Sequence, residues 1–230
     1  QGLVYQGLQR YTSRVRTYRD ISIVVIGTFN PAIFQPEWFR LNEILPSSEV
    51  EAAVEQGSGL MLTPEIAAIK FKSLQLSVFQ NRWSLSTSRP DWEADLGAIV
   101  TSIFALLPHT PVTTLGFNVN EQRPIDTAKL RSVLNHWVPL SELSALAGEK
   151  SRVGGVAKGT WKQYQMTLRV DESAKQPGTL EIQRNFERQL TGGVKELKQI
   201  ITTDWATLLL RAKEIGDLVL SPEAKHALSE

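Results

Sequence analysis

Residues 71–120, FKSLQLSVFQNRWSLSTSRPDWEADLGAIVTSIFALLPHTPVTTLGFNVN, decide the fold. Leu74, Leu76 and Val78 alternate with Ser73, Gln75 and Ser77, the period of two that marks a half-buried strand. Gln80-Asn81-Arg82 is a polar break with an asparagine able to take a left-handed backbone in a tight turn. Trp83, Leu85 and Thr87 then alternate with Ser84, Ser86 and Ser88, so the two runs read as a hairpin. Ser88 stands as a helix N-cap before Pro90 and the acids Asp91 and Glu93. Trp92, Leu96, Ile99, Val100, Ile103 and Leu107 recur on one helical face until Pro108. Leu115, Phe117 and Val119 restore the alternation, giving strand, strand, helix, strand.

Upstream, Ile21 to Phe29 (ISIVVIGTF) is an almost continuous apolar run, as in a strand buried on both faces. Pro36-Glu37 opens a short helix, residues 46–63 are weakly patterned, and Thr63-Pro64-Glu65 reads as a further helix start. Residues 1–20 form a polar arm that carries Arg10, Arg14, Arg16 and Arg19 among tyrosines. Downstream, Asp126 caps a helix through Leu130, Val133 and Leu134. Gly154 to Gly159 reads as a glycine-rich basic loop. Tyr164 to Val170 and Leu180 to Phe186 form a second strand pair. Val194, Leu197, Ile201, Trp205, Leu208, Ala212 and Ile215 mark one long amphipathic helix.

From Ile21 to Asn120 the order is βαββαβ, the split arrangement of ferredoxin-like cores. The expected class is therefore α+β: a mainly antiparallel sheet with helices on one face, and a C-terminal αββα extension. Residues 21–230 read as one domain after the arm, divisible into lobes 21–140 and 150–230.

The chain has 25 basic and 24 acidic residues, so no whole-chain field recruits nucleic acid, membrane or acidic substrates. It has no cysteine, which excludes disulfides, thiol nucleophiles and thiolate metal sites and favours a reducing, cytoplasmic setting. No apolar run is long enough to span a membrane. His109, His136 and His226 lack any partner at metal-ligand spacing. Gly154 to Thr160 lacks the lysine of a phosphate-binding loop and leads into a strand. No catalytic constellation, metal or cofactor is expected.

The candidate contact residues lie at the edges of the fold. Arg10, Arg14, Arg16 and Arg19 form one group, and Arg152, Lys158, Trp161 and Lys162 the other. Arginine pairs with phosphate and aromatic rings stack on bases, so these positions fit RNA or single-stranded DNA. The structural alternative is a solvated basic face and a plain connecting loop.

Arg82-Trp83-Ser84-Leu85, Asp91-Trp92 and Val112 to Phe117, with Phe29 to Ile33 and Pro36 to Phe39, resemble a sporadically distributed family of uncharacterised bacterial proteins. The resemblance covers a third to a half of the chain and implies a bacterial cytosolic accessory protein, near antiphage defence genes. It supplies no functional residues. The expected function is a non-enzymatic interaction subunit with a protein partner or a second copy. RNA or single-stranded DNA binding is the alternative.

Overall fold

The computed structural model describes residues 18–57, 59–136, 154–174 and 176–221. In chain order the elements are β1 (Tyr18–Gly27), α1 (Pro36–Leu41), α2 (Ser47–Gln56), β2 (Leu60–Leu62), β3 (Ile66–Lys70), β4 (Gln75–Phe79) and β5 (Arg82–Thr87). There follow α3 (Leu96–Ala105), β6 (Val112–Pro124), α4 (Thr127–Asn135), β7 (Gly154–Trp161), β8 (Tyr164–Glu172), β9 (Thr179–Gln189) and α5 (Gly193–Leu220). The nine strands make one sheet in the order β2-β3-β4-β5-β1-β6-β9-β8-β7, with every pair antiparallel. The fold is α+β, and the sheet has more than twice the four strands of the expected βαββαβ core.

Alternation decides the layering. Ile21, Ile23 and Val25 of β1 face the same side as Trp83 and Leu85 of β5 and Leu115, Phe117 and Val119 of β6. Phe186 and Ile182 of β9 continue that surface towards Val170 on β8. The helices pack on this side. Trp83 meets Phe104 of α3 edge to face at 5.2 Å, and Phe117 lies 5.6 Å from Trp205 of α5. All seven positions expected inside the last helix are buried.

Several expectations are corrected. The run from Ile21 is central in the sheet but only partly buried on its second face, where Val24 is buried, Ser22 is half-exposed and Ile26 is 39% exposed. Tyr18 to Asp20 belong to β1 rather than to an arm, since they pair with Asn120 to Gln122 of β6. Thr63 does not start a helix. Its hydroxyl accepts from the N–H of Glu65 and Ile66, which turns the chain between β2 and β3. Ser88 caps nothing, because the hydroxyl that accepts from Arg89 N–H is that of Thr87; a 3-10 turn at Pro90–Trp92 comes first, and α3 begins at Leu96.

The glycine-rich segment is a strand, which makes the C-terminal extension αβββα. Lys162 takes a left-handed backbone (φ 52°) in the two-residue turn that folds β7 back on β8. At Gly154 a Cβ would lie 1.4 Å from Asp171 Oδ1, so only glycine permits that close pairing.

Candidate functional site

Because the helices occupy one side, the other side of the sheet is bare among the described residues. Its side chains come from the polar half of each alternation. Ser86, Ser22, Asn118, Asn185 and Thr167 lie in one row across β5, β1, β6, β9 and β8. Asn185 Nδ2 donates to Asn118 Oδ1 at 2.6 Å, and Asn118 Nδ2 donates to Ser22 Oγ at 3.3 Å. The neighbouring row is Asp20, Asn120, Gln183 and Arg169. From Ser22 and Asp20 to β8 the two rows line a shallow basin of about 340 Å³, which Arg82 also borders, and no aromatic side chain lines it.

Most polar groups of the basin are engaged. Arg169 pairs with Asp171, and Gln183 Nε2 donates to Glu181 Oε1 at 2.9 Å. Arg82 and Thr167 have no side-chain partner among the described residues, and Asp20 and Asn120 make a second unengaged pair. They stand directly opposite each other on β1 and β6, which places their Cβ atoms about 5 Å apart. The Asp20 carboxylate makes no hydrogen bond or ion pair within the described residues. Asn120 Oδ1 is buried and accepts from nothing. Burial without a compensating donor pushes the Asp20 carboxyl up to about 6. Asp20 also lines an adjoining hollow of about 100 Å³ beside Tyr18, Lys70 and Lys72.

The residues one step along the same strands behave differently. Arg19 and Glu121 face the helices. Glu121 accepts from Arg184 Nη2 at 2.9 Å and from Arg123 Nε at 2.6 Å, and Arg184 Nη1 donates to the Ala212 carbonyl of α5 at 2.6 Å. Burial pushes the Glu121 carboxyl up, but the two arginines outweigh it and hold the group below the usual carboxylate range. Gly216 of α5 packs against this cluster, where a Cβ would lie 2.6 Å from Arg184 Nη1. This is a structural clamp between sheet and helix.

The residues singled out from sequence do not form one surface. Arg10, Arg14, Arg16 and Arg152 lie outside the described residues. Arg19 is no free arm cation, since its Nε lies 3.4 Å from Glu93 Oε1. Lys158 projects from the bare side of β7, opposite Thr167. Trp161 turns to the helix side, stacks on Tyr164 and meets Phe186 edge to face, with Lys162 Nζ 4.8 Å above its ring. Trp161 is therefore a half-buried packing residue.

Sequence reading passed over Asp20, Asn118, Asn120, Gln183 and Asn185. The available signal was their amide-rich alternation within strands, as in Phe117-Asn118-Val119-Asn120.

Metal chemistry has no anchor here: the described residues hold no cluster of three His, Asp or Glu side chains that could bind an ion. No helix among them is long and apolar enough to cross a membrane. No protein-family model matches the chain, and no curated protein matches it.

Proposed function

We propose that this protein is a non-enzymatic binding subunit that meets a protein partner on the bare face of its sheet. The observation that carries the reading is the basin at the centre of that face, which keeps unpaired polar groups in a chain that pairs its buried charges elsewhere. The edges of the sheet are less suited to a partner. β2 has only three residues, and β7 carries Lys158 in its middle, a common guard against strand addition. The long final helix is taken up by the core and is not available as a docking helix.

RNA or single-stranded DNA binding has less on its side. Single-strand binders combine exposed stacking rings with a positive groove. The basin has no ring, and Trp161 is packed. A role in bacterial defence rests on the sequence resemblance alone.

The test is to purify the tagged full chain from its native host, identify what co-purifies, and compare two variants. Asn118→Arg with Asn185→Arg fills the basin and is expected to abolish the complex. Lys195→Glu on the exposed side of α5 is expected to leave it intact. A complex that survives the first variant, or a chain that is strictly monomeric and partner-free, overturns the reading.

A further inference from the structure

The basin also carries information about what enters it. A buried or half-buried acceptor without a donor is costly, so native chains rarely leave two side by side. Asp20 lines the hollow with no donor among the described residues, and beside it Asn120, on the facing strand, keeps a buried Oδ1 that accepts from none of them. What fits there is a donor, preferably a charged one, since charge-assisted hydrogen bonds are the stronger kind.

Other occupants fit less well. A hard metal ion takes at least six oxygen ligands, and Asp20 is the only carboxylate lining the basin. An anion would meet Asp20 first. The cations that line the basin are engaged or distant: Arg169 is paired with Asp171, and Arg184 with Glu121. Arg82 is opposite Ile26, six residues along β1 from Asp20, or about 20 Å between backbones. The remaining charges around Asp20 are Tyr18 on its own strand, and Lys70, Lys72 and Arg89 in the adjoining hollow, with Arg89 paired to Asp91.

We infer that the Asp20–Asn120 end of the basin seats a cationic side chain of the partner protein, a lysine ammonium or an arginine guanidinium. This inference rests on the reading of the bare face as the partner surface. The two acceptors receive the donor's N–H groups, and the surrounding Ser22, Asn118 and Asn185 amide ladder holds the walls fixed. Among the described residues the site is unsatisfied, and the partner completes it. The raised Asp20 carboxyl is consistent with this, because a bound cation would pull it back down.

The experiment is an amide and side-chain NMR titration of the full chain at about pH 7.5. The probes are Nα-acetyl-lysine N-methylamide and Nα-acetyl-arginine N-methylamide, with the norleucine derivative as the neutral control. Millimolar, saturable shifts centred on Asp20, Asn120 and Gln183 are expected for the two cations and not for norleucine. Asp20→Asn and Asn120→Leu should each weaken binding at least ten-fold, and unfolding curves will show that both variants are folded. Equal shifts with norleucine, or no shift with either cation, would overturn the assignment. Spermidine binding more than ten-fold tighter than the lysine derivative would also overturn it, in favour of a free polyamine. A native complex lost in the Asn118/Asn185 variant but indifferent to Asp20→Asn defeats this inference alone. A complex indifferent to both defeats the partner-face reading as well.

Discussion

Arg19 and Asp20 are neighbours on β1, as Asn120 and Glu121 are on β6, yet the two steps of this ladder have opposite fates. On the helix side, Glu121 sits among three arginines, and its oxygens accept from Arg123 and Arg184. On the bare side, Asp20 and Asn120 face each other without a hydrogen bond between them, and Asn120 Oδ1 accepts from none of the described residues. One side shows what this chain does with a buried charge when stability is the only demand. The other shows a carboxyl that burial alone raises, with no donor among the described residues. Strand alternation alone separates the two, since successive side chains point to opposite faces.

The comparison breaks most visibly at Arg184. Arg184→Leu leaves Glu121 with Arg123 alone and frees the Ala212 carbonyl, and should cost about 2–4 kcal/mol in a urea unfolding experiment. Removing both charges, as Arg184→Leu with Glu121→Leu, should restore more than half of that loss. A double variant as unstable as the single one would mean that packing, not charge, holds the clamp.

Gly216→Ala tests the same cluster from the helix, because its methyl would press on Arg184 Nη1. The expected loss is about 1–3 kcal/mol, read from the same unfolding curves. An unchanged midpoint would show that the arginine moves aside freely.

On the bare side the sign reverses. The Asp20 carboxyl is raised in the folded chain, so between about pH 4 and 6 the folded chain holds a proton that the unfolded chain has released. Stability from this group is therefore present below about pH 4 and lost as pH rises through about 6. Asp20→Asn removes the penalty. It should stabilise the chain by about 1 kcal/mol at neutral pH, after allowance for solvent screening, and by almost nothing below about pH 4. A destabilised Asp20→Asn at neutral pH would give Asp20 an ordinary structural role.

The smallest effect belongs to the sheet edge. Lys158→Thr should change stability by less than about 0.5 kcal/mol. It should, however, raise self-association in light scattering, because β7 loses its guard. A variant as monodisperse as the parent would mean that something else protects that edge.

Much of the scaffold was legible in the residues. The spacing from Val194 to Ile215 placed α5, and Asp126 caps α4 as its position implied, accepting from Lys129 N–H at 2.8 Å. The β4–β5 hairpin was legible too, because alternation and a tight turn act over a few residues. β2 and β3 were hidden: Leu60 to Leu62 is too short to alternate, and Thr63-Pro64-Glu65 imitates a helix cap. β7 was hidden because glycine has no strand preference of its own, and pairing with β8 imposes the conformation. The basin was not legible for a deeper reason. Ser22, Asn118 and Asn185 are bonded across 96 and 67 residues of chain, and no local pattern states which polar row meets which. Asp20 was hidden in a segment that reads as a basic arm.

The Asp20 carboxylate has no donor among the described residues, and the proposal assigns it to a cation of the partner. A carbon-detected NMR titration of its carboxyl, alone and with excess Nα-acetyl-lysine N-methylamide, tests this most directly. The expected midpoint is near 6 in the free chain and moves down towards the ordinary carboxylate value when the lysine derivative is present. An ordinary midpoint in the free chain, or one that the cation leaves in place, would contradict it.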